Sequence, residues 1–197
     1  MAKREEKERV SRREQRRLEA AKNRRNKNLL VGVPLGVIAI AIVGYIIFLA
    51  VRPDIEGVVT FGSQDRTHDI QVIFPESALP PVGGAHHPTW LNCGIYLEEV
   101  PVSNAVHSLE HGAVWVAYDP TLPAADIADL RDMVRGDGFV LLSPYPGLQS
   151  PVVATAWTAQ LELDGVADAR LPDFIGRFKG KGPEAGATCS GGVGDPQ

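Results

Sequence analysis

The sequence predicts an α+β fold, in which one transmembrane helix precedes one compact extracytoplasmic domain with helices packed on a mixed sheet. The first reason is a run of 23 residues without a charged side chain, Leu29–Val51, which is long enough to cross a bilayer. The second is that apolar runs of strand length and helical patterns follow one another after this segment. The third is that the remaining length is sufficient for one hydrophobic core.

The charge of the chain changes sign on either side of the apolar run. Residues 1–28 carry 12 Lys and Arg against 5 Asp and Glu, a net of +7, whereas residues 52–197 carry 8 against 19, a net of −11. Basic residues that flank a membrane helix stay in the cytoplasm. The sequence therefore predicts a basic cytoplasmic tail at 1–28, a plasma-membrane span at 29–51 and an extracytoplasmic domain at 52–197.

A cleaved signal peptide is the alternative interpretation of this segment, although its basic and apolar parts both exceed the usual lengths. The expected partner of the segment is the lipid bilayer, which also attracts the basic tail. Residues 1–28 contain no aromatic residue, and no nucleic-acid-binding motif accompanies them, so nucleic acid is not expected as a partner.

Apolar runs bounded by Gly, Pro and Asp predict the elements of the domain. The predicted strands are 57–61, 69–74, 113–118, 139–143 and 152–157, and the predicted helices are 104–111, 122–135 and 171–178. The third strand, the second helix and the fourth strand are expected to form a parallel unit, because a helical crossover is the usual connection between parallel strands. The fifth strand is expected to run antiparallel to the fourth.

The chain contains two cysteines, Cys93 and Cys189. In the oxidising compartment that the topology implies, the two are expected to form a disulfide that ties the Gly-rich C-terminal region to the His-rich stretch. A thiolate metal ligand or a redox pair is the alternative, but the C-x-x-C spacing typical of such sites is absent.

Four of the five histidines lie between His86 and Gly112, and the fifth, His68, is 18 residues upstream. Ser103 and Gly112 are expected to cap the helix predicted between them. On that helix His107 and His111 are four residues apart and share a face.

This clustering predicts a transition-metal site, because imidazole is a good ligand for copper and zinc. Each candidate ligand has a side-chain atom that can donate an electron pair to a metal ion. The candidates are His86, His107, His111, His68 and Glu110. A site outside the cell without a Met-rich motif favours Cu(II) or Zn(II) over Cu(I). The expected function is metal handling or the assembly of a larger membrane complex.

Two alternatives to a metal-handling protein remain open. The histidines can donate to main-chain carbonyls and form a structural network, in a non-catalytic envelope or accessory subunit. The segment His107–His111 also matches the H-x-x-E-H pattern of zinc hydrolases, in which two histidines bind zinc and the glutamate is the general base. Such an enzyme needs another acidic ligand, either Glu162 or Glu184, and the sequence as a whole does not favour an enzyme.

The motifs G-x-H-x-P-x-W-x-x-C-G-x-Y, from Gly84, and A-V-H-x-L-E-H-G-A-V-W, from Ala105, resemble those of an uncharacterised family of single-pass bacterial membrane proteins. The resemblance covers roughly residues 56–193 and extends to actinobacterial members described as a domain of unknown function. It implies an extracytoplasmic domain behind one anchor and no established activity. It also implies copper-handling proteins as companions, and it places His86, His107, Glu110 and His111 on motif positions.

Overall fold

The computed structural model describes residues 16–17, 20, 23, 27–28, 30–47, 53–75, 77, 79–184 and 186–197. The chain divides into two units, Met1–Pro53 and Asp54–Gln197. Most of the predicted cytoplasmic tail and both ends of the predicted membrane span lie outside the described residues.

The first unit contains helix α1, Leu30–Ile47, whose mean hydropathy is 2.6. Its 18 residues have a length of roughly 27 Å at about 1.5 Å per residue, close to the thickness of a hydrocarbon core. None of its apolar side chains is buried within the chain. The helix could therefore span a membrane, and a signal sequence near an N-terminus has the same properties.

The second unit is built on a six-stranded sheet in the order β1-β6-β5-β3-β4-β2. The strands are β1 (Val59–Thr60), β2 (Gly94–Ile95), β3 (Val114–Tyr118), β4 (Val140–Pro144), β5 (Val152–Ala156) and β6 (Ala159–Leu163). Strand β4 pairs in parallel with β2 and β3, whereas β3–β5, β5–β6 and β6–β1 are antiparallel. The sheet is mixed, which confirms the predicted α+β class.

Three helices cover the two faces of the sheet: α2 (Val102–Glu110), α3 (Ala124–Val134) and α4 (Arg170–Phe178). Alternate residues of β3 enter two cores, since successive side chains of a strand point to opposite faces. Val114 and Val116 pack in the core that α3 and α4 cover, and Trp115 and Ala117 pack in the core that α2 covers. Both faces of β3 are buried, which explains its unbroken apolar sequence.

The structure confirms the parallel unit β3–α3–β4 and the direction of β5, and it differs from the prediction in three elements: the expected strand at residues 69–74 and the unpredicted strands β2 and β6. Residues 69–74 do not form a strand, and Ile70 and Ile73 are 72% and 89% exposed. Strand β5 runs antiparallel to β4 as expected, but its hydrogen-bonded neighbour is β3. Strand β6 was not predicted, because the two-residue turn before it contains Thr158 with a φ of +62° rather than Gly or Asn.

An ion pair at the start of α4 provides a test of acid stability. Asp168 accepts hydrogen bonds from the main chain and the guanidinium of Arg170, and these lower the pKa of Asp168 to about 2. Because the pKa in the folded state is below the unfolded value, the pair stabilises the fold above about pH 4, and the stabilisation is lost as the pH falls towards 2.

We expect Asp168→Asn to lower the free energy of unfolding at pH 7 by about 1 kcal/mol, after allowance for solvent screening, and to change it little near pH 2. Urea unfolding at both pH values measures this difference. Asp132→Asn, which removes an exposed pair with Arg135, is the matched control and should have a smaller effect at pH 7. An equal loss at both pH values would contradict the assignment.

Candidate metal centre

Helix α2 carries His107, His111 follows it as the C-cap residue, and the ends of the helix are set by local main-chain geometry. The helix begins after Pro101, and Ser103 is not its cap as expected, because the Ser103 hydroxyl instead accepts the His87 N–H at 2.7 Å. At the other end Gly112 has a φ of +98°, the left-handed conformation that glycine adopts readily after a helix. The chain turns there and enters β3 directly.

The C-terminal end of α2 packs tightly against a glycine-rich segment near the C-terminus. The carbonyl of Gly112 accepts the Gly180 N–H at 2.8 Å, and the carbonyl of Glu110 accepts the Glu184 N–H at 3.1 Å. A Cβ atom on Gly182 would overlap the carbonyl oxygen of Glu110 and the nitrogen of Gly112. Only glycine fits at position 182, and this close contact places Glu184 beside the C-terminal end of α2.

A second local contact brings His68 beside His86. The two residues form an isolated parallel bridge through the main chain. The Asp69 N–H donates to the His86 carbonyl at 2.8 Å, and the main-chain N–H of His86 donates to the Thr67 carbonyl at 2.9 Å. The centroids of the two imidazole rings are 4.8 Å apart. Two loops distant in sequence therefore present their histidines together without belonging to a regular strand.

Four side chains form what we call the inner group: His68, His86, His107 and Glu110. Each offers one ligand atom, and these atoms lie within 4.8 Å of one another. Oε2 of Glu110 is 3.0 Å from Nε2 of His86 and 3.2 Å from Nε2 of His68. His86 and Glu110 are fully buried, His107 is nearly so, and His68 is 38% exposed.

Three side chains form what we call the outer group: His107, His111 and Glu184. Their ligand atoms also lie within 4.8 Å of one another, and Nε2 of His111 is 3.2 Å from Oε2 of Glu184. His107 belongs to both groups, whereas His86 and His111 belong to different ones. The residues expected to surround one ion are thus divided into two overlapping sets.

The hydrogen bonds of the histidines determine which ring nitrogen faces each group. In three rings Nδ1 lies 2.7 Å from a main-chain carbonyl: His86 at Gly84, His107 at His87 and His111 at Thr188. A carbonyl only accepts, so Nδ1 carries the hydrogen and donates it, and in the neutral ring Nε2 keeps a lone pair. This is the arrangement that orients histidine ligands at metal sites.

The charges of the inner group are set by burial and by one arginine. Burial alone would raise the pKa of Glu110, but the hydrogen bond from Arg66 to Oε1 and the neighbouring positive charges hold that pKa below its ordinary value. Burial lowers the pKa of His107 to about 4. At neutral pH the group therefore contains an anionic carboxylate and an uncharged His107 ring.

The contact between His86 and Glu110 requires a cation. The His86 Nδ1 hydrogen is directed to a carbonyl, so its neutral Nε2 and the carboxylate oxygen 3.0 Å away are both acceptors. Two acceptors at this distance repel each other unless positive charge lies between them. A proton on Nε2 would make the contact a charge-assisted hydrogen bond, and a metal ion would bind both atoms.

The arrangement also bears on the hydrolase alternative. Of the two acidic candidates, Glu184 joins His107 and His111, whereas Glu162 lies on β6 outside both groups. Glu110, the residue required as general base, has one oxygen bound to an arginine and the other facing two histidines. Its lowered pKa makes it a weak base, so the geometry does not favour hydrolysis.

A disulfide between Cys93 and Cys189 holds the C-terminal region against the His-rich loop, with the two Cα atoms 5.3 Å apart. The Cys93 N–H donates to the Cys189 carbonyl at 2.7 Å, and Leu91 forms a bridge with Val193. The disulfide therefore lies next to Thr188, whose carbonyl orients His111.

Sequence reasoning missed Arg66 as a member of the site. Arg66 pairs with Glu110 and lies 3.7 Å from Glu184, so it bridges the carboxylates of the two groups. Glu184 was considered only as a hydrolase ligand, although a disulfide next to it was a signal that this segment returns to the histidines. His87, the remaining histidine, lies outside both groups, and its Nδ1 accepts the Thr89 N–H at 3.0 Å.

Comparison with known proteins gives one match. No curated protein and no solved structure matches the chain. A family model described as "Protein of unknown function (DUF3105)" matches residues 72–191, more than half of the chain. The matched residues contain both cysteines and every member of the two groups except His68, and Arg66 also lies outside them. The chain therefore belongs to the DUF3105 family of proteins of unknown function.

Proposed function

We propose that the unit Asp54–Gln197 binds one transition-metal ion, Cu(II) or Zn(II), in the inner group, and that the protein acts in metal handling or in the assembly of a membrane complex. The inner group offers three imidazole nitrogens and one carboxylate oxygen. Four such ligands meet the coordination number of zinc, and imidazole with carboxylate also suits Cu(II).

The observation that carries this proposal is the orientation of the rings. In the inner group Nδ1 of His86 and of His107 donates to the main chain, which directs each Nε2, the nitrogen that a metal ion would bind in place of a proton, into the group that holds a fully buried carboxylate. The other oxygen of that carboxylate is held by Arg66, as carboxylate ligands are commonly held by outer hydrogen bonds.

A purely structural network accounts for this arrangement less well. Nε2 of His107 receives no hydrogen bond from any residue in the described part of the chain, and the lowered pKa keeps it unprotonated at neutral pH. A metal ion would use this lone pair together with those of His68 and His86.

The proposed location is the outer face of the plasma membrane. Helix α1 is long and apolar enough to act as the anchor, and the excess of basic residues before it favours a cytoplasmic N-terminus. The disulfide in the second unit supports an oxidising compartment for residues 54–197. The proposed partners are the bilayer around α1 and a larger membrane complex or a copper-handling protein.

The proposal is tested by the metal content of the full chain in detergent after loading with Cu(II) or Zn(II) and removal of free metal. We expect about one ion per wild-type chain, and an affinity at the inner group at least about 10-fold lower in His86→Ala, because loss of a group that only supports a ligand already costs about 10- to 100-fold. His87→Ala is the matched control, since its ring lies one residue away but outside both groups.

Two results would contradict the proposal. One is an equal metal affinity in wild type, His86→Ala and His107→Ala. The other is a wild-type protein that takes up no metal and unfolds at the same temperature with and without a chelator, which would establish the histidines as a structural network.

A further inference from the structure

His107 is the only residue shared by the inner and outer groups. Its Nδ1 is used by the hydrogen bond to the His87 carbonyl, so one nitrogen, Nε2, is left for both groups. That nitrogen can bind one ion at a time. The two groups are therefore alternative positions for one ion rather than a site for two equally held ions.

The two positions differ in the burial of their carboxylate and in the number of ligands. The inner group has four ligands and a fully buried carboxylate on Glu110. The outer group has three ligands, and its carboxylate, Glu184, is 36% exposed. An ion in the outer position keeps room for water in its coordination shell, whereas the inner position replaces that water with protein ligands.

The outer group is nevertheless built as a site and is not an incidental contact. Nδ1 of His111 donates to the Thr188 carbonyl, which turns Nε2 towards Glu184, in the same way that His86 and His107 are oriented. The indole ring of Trp90 covers His111 with ring centroids 4.7 Å apart. The side chain of His111 is almost completely buried, and so its ring is held in one orientation.

The charges favour entry of a cation at the outer position. The ion pair with Arg66 neutralises Glu110 at the inner position, whereas Glu184 is partly exposed and its contact with Arg66 is longer, at 3.7 Å. An exposed carboxylate raises the local concentration of a divalent cation and its rate of association.

We propose that the outer group is the loading site for a divalent transition-metal ion and that the ion then moves to the inner group while it stays bound to Nε2 of His107. The inference rests on the proposed function of the inner group. In the transfer, bonds from the metal to His111 and Glu184 break. Bonds to Nε2 of His86 and His68 and to Oε2 of Glu110 form, and bound water and the proton held between His86 and Glu110 are released. The oxidation state of the metal does not change.

The test uses Cu(II) added to the full chain in detergent, with rapid mixing to follow binding and electron paramagnetic resonance to count the coordinated nitrogens. Wild type should bind in two phases and end with three nitrogen ligands. The double variant His68→Ala, His86→Ala, which leaves the inner group with only the His107 nitrogen, should keep the ion at the outer position with two nitrogen ligands. Glu184→Gln should reach the wild-type end state but load about 10-fold more slowly.

Glu162→Gln is the matched control, because it removes a carboxylate that belongs to neither group, and it should load at the wild-type rate. His111→Asn should load as slowly as Glu184→Gln, which excludes an effect of charge alone. Loading of Glu184→Gln at the wild-type rate, or no two-nitrogen signal in the double variant His68→Ala, His86→Ala, would overturn the loading site and leave the inner site intact. A wild type that binds no Cu(II) would overturn the proposed function itself.

Discussion

Removal of the Cys93–Cys189 disulfide should lower the free energy of unfolding of the second unit by about 4 kcal/mol, because the bond closes a long loop and so restricts the unfolded chain. The two cysteines are 96 residues apart in sequence, and Cys189 is buried. The double variant Cys93→Ala, Cys189→Ala is therefore compared with wild type by urea unfolding in the absence of reductant.

The same change should weaken the outer group more than the inner group. Thr188 and Glu184 lie on the segment that the disulfide holds, whereas His68, His86 and Glu110 are held by other contacts. Cu(II) loading should therefore slow in the double variant. Reductant should destabilise wild type and have no further effect on the variant. Unfolding of wild type and variant at the same urea concentration would contradict the predicted stabilisation.

Gly182→Ala should lower the free energy of unfolding by about 3 kcal/mol, since the added Cβ has no free space. The atoms that it would meet are main-chain atoms of Glu110 and Gly112, which cannot rotate away. Relief of the overlap requires the segment to move off the end of α2, with loss of the hydrogen bonds from Gly180 and Glu184. Urea unfolding followed by tryptophan fluorescence measures the loss.

Gly165→Ala is the matched control for this substitution, because no atom lies within 4 Å of the Cβ position and the backbone is not in the left-handed region. Its effect should stay within about 0.5 kcal/mol of zero. Because Glu184 is two residues from Gly182, we also expect slower Cu(II) loading in Gly182→Ala. A loss in Gly182→Ala no larger than that of the control would show that the helix end and the segment separate without cost.

The elements that the sequence predicted well are those whose burial produces a recognisable pattern of apolar residues over a few consecutive positions. Strands β3 and β4 are buried on both faces and so read as continuous apolar runs, and the helix between them is long enough to be recognised. Residues 69–74 show a similar composition of apolar residues, but no strand among the described residues pairs with them and Ile73 is exposed. A pattern of side chains does not reveal whether a hydrogen-bonding partner exists.

The candidate site likewise contains residues whose proximity was predictable from local spacing and residues whose proximity was not. The spacing of His107, Glu110 and His111 on one helix is local, and it was sufficient to predict that these side chains lie near one another. The place of Arg66 was not predictable, because a single arginine in a loop carries no pattern that identifies its partner. Its contact with Glu110 depends on how the loop before His68 packs on α2.

The sequence by itself determined that this chain has an apolar helix before an α+β unit, and that histidines with one glutamate cluster beside a cysteine. Those features follow from hydropathy, helical period and composition, which act over a few residues. Only the tertiary structure decided that the cluster divides into two groups that share His107. That division depends on the approach of Glu184 through Gly182 and on the carbonyls of His87 and Thr188 that orient His107 and His111, and each is a contact between segments distant in sequence.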